Sequence, residues 1–113
     1  STGITATTSD IITDFQSEND QLKLGLVGDA TSGTGNYVES SENVADYAAA
    51  LNAANLALAA LNGTSAATEL YAFEYDSNFG YLFIDTDSDG IAEDLLLLTG
   101  VESFEIAALD IIA

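Results

Sequence analysis

Side-chain size alternates along one stretch of this chain and polarity along another, Gln21-Leu22-Lys23-Leu24, and a period of two predicts strands. Leu70-Tyr71-Ala72-Phe73-Glu74-Tyr75 places large aromatics on one face and smaller residues on the other. Asp76-Ser77-Asn78-Phe79-Gly80 turns the chain, and Tyr81-Leu82-Phe83-Ile84 returns as a second strand. Leu95-Leu96-Leu97-Leu98 is a continuous apolar run, which predicts a strand buried on both faces. Shorter strands are expected at Ile11–Phe15 and Gln21–Leu24, with Val101–Phe104 and Ile106 forming a last short segment.

One segment changes period. From about Glu42 to Asn62, Val44, Tyr47, Leu51, Ala54, Leu58 and Leu61 fall on one helical stripe, with Leu56, Ala49, Ala53 and Ala60 on a flank. Ser40 or Ser41 is the expected N-cap, Glu42 and Asp46 suit the positive end of the helix dipole, and Gly63 is the expected left-handed stop. The many alanines predict close packing against a sheet. The alternative, a helix lying on a membrane, needs a basic polar face that this one lacks.

The pattern predicts a single α+β domain: a mainly antiparallel β meander with one long helix packed on it. Its expected parts are a β entry segment (1–24), a Gly-rich loop (25–39), the helix (40–63), a meander carrying an acidic loop (69–106) and a C-terminal tail (107–113). Leu95–Leu98 and the Thr-rich beginning could also pair with neighbouring copies by strand addition.

Composition narrows the function. The 113 residues carry 19 carboxylates against one Lys, no Arg and no His, for a formal net charge of −18. So negative a surface repels phosphate backbones, so no nucleic-acid partner is expected. With neither His nor Cys there is no imidazole base, no thiolate and no conventional zinc or iron site. Lys23 is the one candidate base for a Ser or Thr nucleophile, so nucleophilic catalysis is not expected. The chain is read as a non-enzyme. No apolar run reaches the roughly 18–20 residues that span a bilayer, so membrane insertion is not expected either. No basic and apolar N-terminal leader is visible.

The charge has one sharp concentration. In Asp85-Thr86-Asp87-Ser88-Asp89-Gly90-Ile91-Ala92-Glu93-Asp94, three carboxylates at alternate positions can point inward from one turn. Gly90 permits the bend, Ile91 can offer its carbonyl, and Glu93 or Asp94 can close the shell from the return strand. Such an oxygen-only ligand set suits Ca²⁺, at about 2.3–2.6 Å, better than Mg²⁺ with its strict octahedron. The first seven positions match an EF-hand loop, but the twelfth is Leu96 rather than Glu and no helices flank it, so an EF-hand is excluded. Asp10, Asp14, Glu18 and Asp20 form a second, weaker candidate patch, for which turn chemistry is an equal explanation. Asn62-Gly63-Thr64 matches a glycosylation sequon, and a helix cap accounts for it equally well.

Three segments together carry a resemblance: Asp10-Ile11-Ile12-Thr13-Asp14-Phe15 with Asn19-Asp20-Gln21-Leu22-Lys23-Leu24; Gly80–Gly90 with Leu98-Thr99-Gly100-Val101; and the terminal Asp110-Ile111-Ile112-Ala113. In this order they resemble the C-terminal region of repeat-in-toxin (RTX) proteins exported by type I secretion, including surface-layer and adhesin-type members. The chain departs from that family in lacking the Gly-Gly-x-Gly-x-Asp nonapeptide, so no calcium-filled β-roll and no toxin, protease or lipase activity is implied. The resemblance implies an extracellular or cell-surface location, Ca²⁺, a type I transporter as partner, and Asp110, Ile111, Ile112 and Ala113 as the secretion signal. Its functional expectation is a calcium-dependent folding cap. The alternative is a self-associating structural subunit of a filament, surface layer or adhesive matrix.

Overall fold

The structure is a computed structural model that describes residues 10–12, 22–23, 26–31, 34–40, 43–77, 79–87, 89–92, 94–99 and 111–112. Its elements are β1 (Asp10–Ile12), β2 (Leu22–Lys23), β3 (Tyr37–Glu39), α1 (Tyr47–Asn62), β4 (Leu70–Tyr75), β5 (Phe79–Asp85), β6 (Asp94–Thr99) and β7 (Ile111–Ile112). Five strands form one sheet in the order β1-β6-β5-β4-β3, and β2 pairs with β7 in a two-stranded ribbon. The fold is α+β, as the sequence pattern predicts.

The meander β4–β5–β6 is antiparallel, with Ala72 opposite Phe83 and Leu82 opposite Leu96. Its two faces are both dry. Leu70, Ala72, Tyr81, Phe83, Leu95 and Leu97 face α1 and pack on Ala50, Ala54 and Leu58. On the other face Tyr71, Phe73, Leu82, Ile84 and Leu98 pack with Tyr37, and with Leu22 and Ile111 from the ribbon. The molecule is therefore three layers: helix, sheet, ribbon. The apolar run at 95–98 is explained by this arrangement, since each of its faces meets a different layer.

The flanking pairs are parallel: β1 on β6, β3 on β4, and β2 on β7. Strands of two or three residues are too short to show an alternation, so the pattern could not assign their partners. This arrangement overturns one expectation. β6 is bonded on both sides, to β5 and to β1, so Leu95–Leu98 offers no free edge for strand addition. The Thr-rich segment before Asp10 and the expected strand at 101–106 lie outside the described residues.

The helix also differs at both ends. It begins at Tyr47, not near Glu42, and its N-cap is Asp46, whose Oδ1 accepts the Ala49 N–H at 2.9 Å. Ser40 is not the cap: it and Val44 are each bonded to β4. The Ser40 N–H donates to the Phe73 carbonyl at 2.9 Å and the Val44 N–H to the Tyr75 carbonyl at 2.7 Å. Ser41 and Glu42 lie outside the described residues. Gly63 is right-handed, with φ −75° and ψ −18°, so no left-handed stop operates. The helix instead ends in a tightened turn, with the Gly63 N–H shared between the Ala59 and Ala60 carbonyls. Leu56, on the other flank, is 69% exposed and takes no part in that packing.

The expected Gly-rich loop contains β3 and an ordered turn before it. Asn36 is buried; its Oδ1 accepts the Asp29 N–H at 2.7 Å and its Nδ2 donates to the Val27 carbonyl at 3.0 Å. Asp29 in turn accepts the Thr31 N–H and hydroxyl, which holds its carboxyl below the ordinary value. A Cβ on Gly35 would sit 2.7 Å from the Thr31 nitrogen and 2.8 Å from its carbonyl oxygen, and closer still to the Asp29 carbonyl. All three are backbone atoms that cannot step aside. Gly35→Ala is therefore expected to cost about 1–3 kcal/mol, the range for forced overpacking. An unchanged thermal midpoint would show that the turn has room to relax.

Candidate metal centre

The acidic loop leaves β5 at Asp85 and enters β6 at Asp94. Asp85 is the loop's organiser. It is fully buried, and its carboxylate accepts three backbone N–H groups: Gly90 at 2.7 Å, Asp89 at 3.2 Å and Asp87 at 3.3 Å. A second link, from the Ile91 N–H to Asp89 Oδ1 at 2.9 Å, fixes the far side of the turn. Gly90 carries φ +84°, a left-handed conformation that costs a non-glycine residue energy. The expectation that Gly90 makes the bend is met.

Two helix residues, Asn55 and Ala59, meet this loop, and neither is among the expected ligands. Asn55 Oδ1 accepts the Ala92 N–H at 3.0 Å. Ala59 lies so near Gly90 that an added Cβ would fall 3.2 Å from the Ala59 Cα. The signal was present in the sequence, since Asn55 is a polar residue inside an Ala/Leu helix.

Asp85, Asp87 and Asp89 converge: each has a carboxylate oxygen within 4.8 Å of the others. Asp87 and Asp89 are exposed, so a cation would meet one buried wall and two accessible ligands. Partial withdrawal from water, followed by the hydrogen bond with Asp85 and the charge of Asp89, holds the Asp87 carboxyl above its ordinary value. The direction is that of a site where negative charge is crowded. Oxygen-only donors of this kind fit a hard cation such as Ca²⁺.

The other expected ligands are placed as follows. Asp94 is not in the three-carboxylate group, and its Oδ1 accepts the Leu95 N–H at 2.8 Å. Ile91 is in the loop, 44% exposed, while Glu93 lies outside the described residues. In the second patch, Asp10 opens β1 opposite Leu96, and Asp14, Glu18 and Asp20 lie outside the described residues. In the tail, Ile111 and Ile112 form β7, with Ile111 fully buried; Asp110 and Ala113 lie outside the described residues.

A groove of about 450 Å³ lies elsewhere, between Leu26–Asp29 and Ser65–Ala67, and none of the three carboxylates lines it. Among the described residues no helix is long and apolar enough to cross a membrane. No family model, curated protein or solved structure matches the chain.

Proposed function

We propose that this chain is a non-catalytic, calcium-binding domain of an extracellular protein, in which the cation conditions the fold. The observation that carries the reading is the convergence of Asp85, Asp87 and Asp89 on one hairpin turn. Crowding three carboxylates stores repulsion that a divalent cation removes, and the repulsion is sharpened by a net charge of −18. Binding selective for the native state adds to stability, by about 2.7 kcal/mol at a hundred times Kd. For a domain of this size that corresponds to roughly 10 °C in the melting midpoint. The measurement is a thermal melt in millimolar Ca²⁺ against EGTA. Coincident curves would sink the calcium reading.

The wider reading follows the sequence resemblance: an RTX-like C-terminal domain, exported by a type I transporter, folding when it meets external calcium. Burial of Ile111 against Leu22, Tyr71 and Phe73 bears on this reading. A transporter can read Asp110–Ala113 as a linear signal only while the domain is unfolded, which suits a chain that folds after export. Deletion of the last four residues is expected to abolish export in a reconstituted type I system, and undiminished export would remove the signal assignment.

A further inference from the structure

Of the seven asparagines in the chain, only Asn62 is followed by glycine. The fold does not need that glycine. Gly63 has φ −75° and ψ −18°, which any residue adopts, and an added Cβ would meet the Ala60 carbonyl oxygen at 3.5 Å, an ordinary contact. Asn62, Gly63 and Thr64 are all exposed. The side chains of Asn36 and Asn55 are held in hydrogen bonds, whereas that of Asn62 makes none among the described residues.

A side-chain amide placed just before a glycine has a nucleophile within reach. The Gly63 nitrogen bonds to the Asn62 Cγ and closes a cyclic imide. The Cγ–Nδ2 bond breaks, and ammonia leaves with the proton of the attacking N–H. Water then opens the ring. Attack at Cγ restores the ordinary backbone and leaves aspartate, while attack at the main-chain carbonyl carbon leaves isoaspartate, linked through the side chain. No oxidant, reductant or enzyme enters. Glycine favours the closure because no Cβ crowds the attacking nitrogen or restricts its backbone.

The amide must first leave the helix. The Gly63 N–H is shared between the Ala59 carbonyl at 3.3 Å and the Ala60 carbonyl at 3.2 Å, both at the long end for such bonds. They lie in the last turn of α1, and helix ends fray first. The chain holds its own contrast. Asp89-Gly90 could close the same ring with loss of water, but the Gly90 N–H is buried and tied to Asp85 Oδ2 at 2.7 Å.

We propose that Asn62 is a site of spontaneous covalent modification: the Gly63 nitrogen closes on its side chain whenever the last turn of α1 opens, and the acid left behind loosens that turn. The new carboxylate stands at the negative end of the helix dipole, in a last turn without a basic residue. Isoaspartate also lengthens the backbone by a carbon and breaks the helical repeat. The same turn carries Ala59, so the part of α1 that loosens is the part that meets Gly90 of the acidic loop.

The test incubates the folded protein at neutral pH beside an unstructured peptide of residues 60–66. Mass spectrometry with fragmentation locates the acid, and hydrogen exchange reads the opening of the Gly63 amide. Acid is expected at residue 62 before any other asparagine. Its rate should fall below that of the peptide by at least the protection of the Gly63 amide, and by no more than about a hundredfold. Gly63→Ala, which the fold accommodates, is expected to slow the reaction by about tenfold. Asn62→Asp, the ordinary-linkage product, is expected to lower Gly63 protection by about two- to fivefold. Acid appearing first elsewhere, a slowing beyond about a hundredfold, or a rate above what Gly63 protection permits would each overturn the proposal. So would an unchanged rate in Gly63→Ala or unchanged Gly63 protection in Asn62→Asp.

Discussion

Asp85→Ala is expected to lower the melting midpoint by roughly 10–20 °C in EGTA, before any cation enters the account. The substitution orphans the Gly90 N–H, which is buried, and loosens those of Asp87 and Asp89. An unsatisfied buried donor costs about 1–3 kcal/mol, so a total near 3 kcal/mol is expected. Asp87→Asn and Asp89→Asn should behave differently. Both side chains are exposed and each substitution relieves some of the crowding, so their midpoints in EGTA should not fall below that of the unmodified protein. Their loss should appear as a reduced response to millimolar Ca²⁺, because each removes a charged ligand. The three variants thus separate a loop organiser from two ion ligands. An Asp85→Ala protein that melts normally in EGTA would show that the turn does not depend on this carboxylate. A full calcium response in both Asn variants would show that the exposed acids are not ligands.

Phe83→Ala carries an effect of similar or greater size. Phe83 is fully buried on the face that meets α1, with ring centroids 6.2 Å from both Tyr47 and Tyr81. Removing a core aromatic loses its transfer free energy and leaves a cavity, about 3–5 kcal/mol together. Its neighbours in that layer include Ala50 and Ala54, whose short side chains cannot expand into the void. Leu56→Ala, on the exposed side of the same helix, should change stability by no more than about 0.5 kcal/mol. Urea unfolding of both variants measures the contrast. A loss under about 1 kcal/mol for Phe83→Ala would contradict the helix-on-sheet packing.

The meander was legible because β4 alternates large with small side chains, a turn separates it from the apolar run of β5, and the Leu95–Leu98 run has no polar face at all. Such signals are local, and the antiparallel hairpins they specify are local too. What stayed hidden depends on distant partners. Ser40-Ser41-Glu42 is a sound cap pattern, yet β4 carbonyls claim the Ser40 and Val44 amides and the helix starts later at Asp46. Gly63 looks like a left-handed stop, yet its N–H finds the Ala59 and Ala60 carbonyls without leaving the right-handed region. At the candidate site the converse holds. Alternation within Asp85-Thr86-Asp87-Ser88-Asp89 was enough to bring three carboxylates together, whereas Asp94 turned to its own strand.

The parallel pairs have a consequence for how the chain reaches this shape. Leu22 meets Ile111 and Asp10 meets Leu96, so each contact joins an early segment to a late one. Closing such long loops loses entropy before it is rewarded, and topologies of this kind fold slowly. The β4–β5–β6 hairpins can form first from neighbouring residues, but the cluster on one face of that sheet is completed only when β7 brings Ile111 to Leu22 and Tyr37. A ribosome delivering the chain from its N-terminus therefore presents Tyr71, Phe73, Leu82 and Leu98 before Ile111 can join them, and any such intermediate lacks that part of its cover. Its lifetime is governed by the rate at which the last strand is supplied, and high like charge is what keeps two such intermediates from sticking together.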